Sequence, residues 1–241
     1  MKTKLLFGGA LWMLSALIQG NLIAQTAERT NYLRSVVMEL EKTWPTNRTV
    51  NIVCHGHSVP AGYFKTPVVD SFHAYPHLLH VMVKERFPRA VVNVIVTAIG
   101  GENSVAGAAR FERDVLPLRP DVVTIDYALN DRRVGLEKAR AAWVQMIQKA
   151  QAAGIKVILL TPSPDLSSKL DDSNDPLNQH AEQVRALAAE FHVGLVDSLA
   201  LFKAEVARGA AMNALMSQVN HPNAPGHTLI ANELSRWFER R

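Results

Sequence analysis

The sequence predicts an α/β protein: a parallel sheet covered on both faces by helices. Three observations lead there. Short, β-branched apolar runs recur along the chain. Amphipathic segments with helical spacing separate them. Residues that carry chemistry stand directly after the apolar runs rather than inside them. The composition suits this, since 48% of the 241 residues are hydrophobic and 20% are charged, which supports a real core and excludes a disordered chain. The length suits one domain of moderate size.

The elements follow in order. Val50–Cys54, Val91–Ala98, Val122–Tyr127, Val157–Thr161 and Gly194–Val196 read as buried strands, because they are short and almost continuously apolar. Between them, Leu136, Ala139, Trp143, Met146, Ile147 and Ala150 mark one face of a helix. Leu177, Ala181, Val184, Leu187, Ala188 and Phe191 mark another, and Ile230, Leu234, Trp237 and Phe238 mark the last. Gly154 and Gly194 stand where helices are expected to stop. Strands alternating with helices at this spacing imply right-handed crossovers and a doubly wound sandwich. In such folds ligands bind beyond the carboxyl ends of the strands.

The chain opens Met1-Lys2-Thr3-Lys4 and continues with an apolar stretch from Leu5 to Ala24. Basic residues followed by an apolar run form a secretory signal pattern, so residues 1–24 are expected to be a cleaved signal peptide and residues 25–241 a single domain. Gly8, Gly9, Gln19, Gly20 and Asn21 interrupt the run, which disfavours a stable membrane span. Export places the product outside the cytoplasm, secreted or periplasmic. Residues 1–24 carry two lysines and no acid, so cleavage lowers the net charge from +4 to +2. No Lys/Arg block stands out, and nothing points to a nucleic-acid partner. The lone cysteine, Cys54, ends an apolar run and reads as a buried thiol.

Four short blocks hold the candidate chemistry: Gly56-His57-Ser58, Gly100-Gly101-Glu102-Asn103, Tyr127-Ala128-Leu129-Asn130-Asp131 and Asn220-His221-Pro222-Asn223. The first three follow the first three strands, and the fourth precedes the last helix. They supply a serine, a glycine amide, an asparagine side-chain amide and a histidine. A serine hydroxyl needs a base within hydrogen-bond reach, and imidazole is matched to that task. The oxyanion formed by attack on an ester needs fixed donors, which amide N–H groups provide.

These blocks resemble those of the SGNH hydrolases, the superfamily of GDSL-type esterases and lipases, over roughly Val50 to Trp237. The resemblance implies a flavodoxin-like three-layer α/β/α sandwich with a five-stranded parallel sheet. It implies ester hydrolysis through an acyl-enzyme and no cofactor. In that pattern Ser58 is the nucleophile, Gly101 and Asn130 hold the oxyanion and His221 is the base. Family analogy and export suggest an acetyl group on a carbohydrate as the substrate.

Three positions depart from the family pattern. His57 stands where an Asp usually precedes the nucleophile, and Ala128 replaces a glycine. Gln218 occupies the place of the triad Asp, three residues before His221. The orienting group for His221 is therefore left open among Gln218, a carbonyl, Asp131 and Asp165. Two other readings also stay open. One is a glycan-binding protein on the same fold without catalysis. The other is a metal-dependent hydrolase using His55 and His57, with His73, His77 and His80 spaced to share a helix face.

Overall fold

The computed structural model describes residues 25–240. The expected signal peptide, residues 1–24, lies outside the described residues. In chain order the elements begin with α1 (Arg29–Tyr32), α2 (Arg34–Glu41), β1 (Thr49–Gly56), α3 (Ser58–Ala61), α4 (Tyr75–Arg86), β2 (Val91–Val96) and α5 (Ser104–Asp114). They continue with β3 (Val122–Asp126), α6 (Ala128–Asp131), α7 (Leu136–Ala152), β4 (Lys156–Leu160), α8 (Pro176–Glu190), β5 (Gly194–Val196) and α9 (Ser198–Ala207). The hairpin β6 (Met216–Gln218) and β7 (His221–Pro222) precedes α10 (Ala224–Ser235).

The main sheet has the order β2-β1-β3-β4-β5, and every pair is parallel. This is the expected flavodoxin-like order. The chain steps outward from β1 to β2 and then returns to β3, so the winding reverses between β1 and β3. A crevice opens at such a reversal, beyond the carboxyl ends of the strands.

Alternation along the strands builds two cores. Val50, Ile52 and Cys54 of β1, Val122 of β3, and Ile158 and Leu160 of β4 pack in one cluster with α2, α4, α9 and α10. Val53, Val123, Ile125, Val157 and Leu159 pack in the other with α5 and α7. Helix α8 contributes Leu177 and Ala181 to the first cluster and Val184, Leu187 and Ala188 to the second. Side chains at successive strand positions point to opposite faces, so continuous apolar runs are what a sheet covered on both sides requires.

The five expected strands are all present, with shifted ends. β2 differs in environment: it is an edge strand, with Val91 and Val96 about half exposed rather than buried. The three apolar helix faces are buried apart from Leu136 and Phe191, which lie near the ends of α7 and α8. Gly154 follows α7 with a left-handed φ of 73°, as expected of a helix stop. Gly194 does not stop a helix. After α8 the left-handed residue is His192, with φ 49°, and Gly194 opens β5. A Cβ on Gly194 would lie 2.9 Å from Ile158 Cγ1 and 3.2 Å from Trp237, so this glycine is set by close packing. His73 also falls outside its expected helix. It precedes α4 and pairs with Asp70 at 2.8 Å, leaving only His77 and His80 on α4. The β6–β7 hairpin is too short to show a period in sequence.

Gly194→Ala tests the packing assignment. Overfilling this contact is expected to cost about 1–3 kcal/mol. In urea the unfolding midpoint falls while the slope stays at the wild-type value.

Candidate active site

Ser58 sits at the first position of α3, directly beyond β1. The start of a helix leaves its first amides without intrahelical acceptors, so the Ser58 N–H is free of helix bonding by construction. Gly101 lies in the loop after β2 with φ 77°, a conformation that glycine adopts without strain. No atom lies within 4 Å of where its Cβ would point, so the peptide has one open side. Asn130 lies in α6, beyond β3. His221 is on β7, and its Nε2 lies 2.9 Å from Ser58 Oγ. Ser58 and His221 thus meet beyond the carboxyl end of β1, while Gly101 lies beyond β2 and Asn130, bonded to Glu102 beside Gly101, lies beyond β3.

The Gly101 and Asn130 side is braced by a polar network. Asn130 Nδ2 donates to the Glu102 carbonyl at 2.9 Å, which fixes which end of the amide carries N–H. A primary amide has two N–H groups, so one remains for a ligand. The Glu102 carboxylate accepts from Arg110 Nε at 2.8 Å and from the Tyr127 hydroxyl at 2.9 Å. Asn103 caps α5 by accepting from the amides of Val105 and Ala106. Asp131 accepts from the Ser104 amide at 2.8 Å and from Trp143 Nε1 at 2.7 Å. Burial pushes the Asp131 carboxyl above its ordinary range, against the pull of these two donors. The second and third blocks are therefore joined through Glu102, Asp131 and their donors. Arg110 was not singled out from sequence, and Tyr127 was named only as the end of its apolar run and the first residue of its block. Arg110 stands two turns from Glu102 along the chain, but only the fold brings Tyr127 to the pair.

The group behind His221 is a backbone carbonyl. Phe64 O lies 2.8 Å from His221 Nδ1. A carbonyl only accepts, so the Phe64 bond is made by the tautomer with its proton on Nδ1, which leaves Nε2 as an acceptor for Ser58. Gln218 is the cross-strand partner of His221 in the hairpin. Its Oε1 accepts from the Thr66 amide at 3.0 Å, a donor that cannot be flipped. That anchor turns Nε2 toward His221 Nδ1 at 2.8 Å. Gln218 therefore presents N–H, not an oxygen, to the imidazole, and it competes with Phe64: Nδ1 can donate to the carbonyl or accept from Gln218, not both. Asp131 is held by Ser104 and Trp143, and Asp165 pairs with Arg132 at 2.6 Å, so neither carboxylate serves His221. Burial lowers the His221 pKa from the ordinary histidine value; the Phe64 bond opposes this and the nearby His57 ring adds to it.

The other singled-out histidines have different partners. Both ring nitrogens of His55 are engaged, Nδ1 with Thr97 Oγ1 at 2.8 Å and Nε2 with the Gly107 carbonyl at 3.2 Å. Burial lowers its pKa to about 4. His57 faces Ser58 and Asp126 instead. The two rings therefore do not converge, and among the described residues no three His, Cys, Asp or Glu side chains gather as a metal-holding group. Cys54 is fully buried, and desolvation pushes its thiol up to about 12. Asp197, directly after β5, caps α9 by accepting from the Ala200 amide. Tyr63 places its ring 6.0 Å from that of His221 and borders the site.

Comparison with known proteins agrees with this geometry. The model of the GDSL-like Lipase/Acylhydrolase family matches residues 54–229. An acetylxylan esterase of Geobacillus stearothermophilus is 25% identical over 162 residues, covering 62% of this chain and 74% of that protein. The crystal structure of Axe2, an acetylxylan esterase from the same organism, superposes with a TM-score of 0.68 at 21% identity, covering 80% of this chain and 95% of that one. CEX, a two-domain esterase active on acetylated mannans, gives a TM-score of 0.71 at 22% identity, covering 90% of this chain and 54% of that one. The matched span includes all four blocks, and the chain belongs to the GDSL-like lipase/acylhydrolase family, the SGNH-type carboxylic ester hydrolases.

Proposed function

We propose that the protein is a serine esterase that removes acetyl groups from a carbohydrate through an acyl-enzyme. The observation that carries the mechanism is the 2.9 Å contact between Ser58 Oγ and His221 Nε2, with Nδ1 held by the Phe64 carbonyl. Ser58 attacks the ester carbonyl as His221 takes its proton. The amides of Ser58 and Gly101 and the side chain of Asn130 receive the oxyanion. His221 returns the proton to the leaving sugar hydroxyl. Water then attacks the acyl-enzyme by the same route in reverse. A binding protein without catalysis would not need this base held in this tautomer.

The choice of an acetylated carbohydrate draws on the acetylxylan esterase and the acetylated-mannan esterase that the chain resembles. Residues 25–241 form the proposed catalytic domain, and the Lys2/Lys4 and apolar pattern of residues 1–24 supports secretion or a periplasmic location. Among the described residues no helix is long and apolar enough to cross a membrane.

Two measurements test this reading. A fluorophosphonate is expected to label Ser58, and Ser58→Ala to abolish turnover, a loss on the order of 10⁶-fold where such a nucleophile has been removed. On p-nitrophenyl esters of rising chain length acetate should be preferred, and acetylated xylan or mannan should release acetate. An unlabelled, folded protein would sink the serine mechanism, and a preference for long acyl chains would sink the deacetylase assignment.

The carbonyl behind His221 makes a second prediction. In Gln218→Glu one carboxylate oxygen keeps the Thr66 amide and the other replaces the N–H that now faces Nδ1. The imidazolium gains a charge partner, so turnover is expected to rise about tenfold. That is well below the ~10⁴ lost in a serine protease whose Asp became an amide, because much of that loss came from the wrong tautomer. The sign of the pH effect follows. His221 must be neutral to act as a base, and burial favours its neutral form, so the wild-type acid limb of kcat/KM lies below the ordinary imidazole value. The added carboxylate favours the charged form and moves that limb to higher pH.

A further inference from the structure

Ser58 has a second imidazole beside it. His57 Nδ1 lies 3.3 Å from Ser58 Oγ, on a ring that is fully buried. The same Nδ1 accepts from the Val59 amide at 3.3 Å. A backbone N–H can only donate, so Nδ1 presents its lone pair and the ring proton sits on Nε2. That nitrogen faces Asp126 Oδ1 at 3.3 Å. The two atoms face each other without hydrogen-bond geometry: both are buried, and among the described residues neither has a hydrogen-bond partner, so the contact is electrostatic. Asp126 ends β3, pairs in register with Gly56, and accepts from the Tyr75 hydroxyl at 3.3 Å through its other oxygen.

We infer that His57, held by Asp126, is a positioning residue for the nucleophile: the buried carboxylate locks the His57 proton on Nε2, so that Nδ1 remains an acceptor toward Ser58. The inference rests on Ser58 being the nucleophile. Its physical content is a constraint on one hydroxyl. With His221 Nε2 on one side and His57 Nδ1 on the other, Ser58 Oγ meets two acceptors and no imidazole donor. Its single proton goes to His221 Nε2, and because His57 offers no N–H its lone pairs stay free to attack. The other His57 tautomer would reverse this. An Nδ1–H would donate to Oγ, occupy a lone pair and leave the Val59 amide without its acceptor. A carboxylate is an unambiguous acceptor, and at Nε2 it selects against that tautomer. The step consumes nothing, and His57 transfers no proton to substrate.

The prediction is a spectrum with kinetics beside it. In protein labelled with ¹⁵N-histidine, long-range ¹H–¹⁵N correlations should show a protonated Nε2 and an unprotonated Nδ1 for His57, assigned by its loss in His57→Asn. Asp126→Asn should admit the second tautomer and lower kcat on p-nitrophenyl acetate with little change in KM. At residue 57, His57→Leu fills the space without an acceptor, whereas the Asn Oδ1 in His57→Asn can still accept near the Nδ1 position. The Leu variant should lose kcat by up to about 100-fold, the scale of misplacing a reacting group by an ångström, and the Asn variant clearly less. A role in packing alone predicts the reverse order. If wild-type His57 carries its proton on Nδ1, the inference is overturned whether or not any variant folds. If Leu and Asn variants match wild-type kcat, it is overturned as well. Fluorophosphonate labelling of wild-type Ser58 keeps the two failures apart: a labelled serine with the wrong His57 tautomer removes this inference only, and an unlabelled serine in folded protein removes the serine mechanism beneath it.

Discussion

The site depends on how closely the ends of β1 and β3 approach each other. Gly56 pairs with Asp126 in the parallel ladder, and the next amide, His57 N–H, donates to the Asp126 carbonyl at 3.2 Å. A Cβ on Gly56 would lie 2.5 Å from that carbonyl oxygen and 2.7 Å from Pro60 Cγ. Only glycine fits there. Because it fits, the chain turns into α3 while still touching β3, which sets Ser58, His57 and Asp126 within one small volume. Asn130 follows four residues after Asp126, so the same strand end also delivers the side-chain amide. The winding reversal opens the crevice, and the glycine contact determines what lines it.

Negative charge is distributed unusually around this crevice. Asp126, Asp131 and Glu102 bring carboxylates to the sheet side of the site, each given donors from neighbouring elements. Behind His221 stand the Phe64 carbonyl and the Gln218 side-chain amide, both uncharged. A buried carboxylate must offset a desolvation cost of several kcal/mol, which it does only with good hydrogen bonds. Behind the base, a carbonyl supplies the tautomer and the ring orientation without that cost. What it does not supply is full charge compensation when the ring becomes an imidazolium. The structure thus separates two duties that a triad Asp performs together.

Much of this was legible in the sequence, for identifiable reasons. A strand buried on both faces must be apolar at nearly every position, so β1, β3 and β4 announce themselves. Ser58, Gly101, Asn130 and His221 could be found because each follows a strand or precedes a capped helix, where side chains point out of the core. Edge exposure could not be read, since Val91–Val96 is as apolar as its buried neighbours. Gly194 looked like a helix stop because glycine serves both for positive φ and for close packing, and only Ile158 and Trp237 decide which applies. The partner of His221 had no signature at all. Every residue has a carbonyl, and that of Phe64 matters through where it points. The Tyr127–Glu102 bond likewise joins positions 25 residues apart through the sheet.

The two departures from the family pattern therefore have one physical sense. Sequence comparison treats His57 for Asp and Gln218 for Asp as separate losses of a carboxylate. In the folded chain, one carboxylate has moved one strand over, to Asp126, with His57 spanning the distance to the nucleophile. In place of the other stands a carbonyl, while the amide at the old position has its oxygen held by Thr66 and its N–H facing the ring. Both imidazoles meet at Ser58, His221 through Nε2 and His57 through Nδ1. Charge has left the far side of the base and now stands on the near side of the nucleophile. The proposed mechanism therefore leans on holding the serine rather than on a carboxylate behind the histidine, and of the two acidic residues missing from the motifs only one has a counterpart nearby, in Asp126.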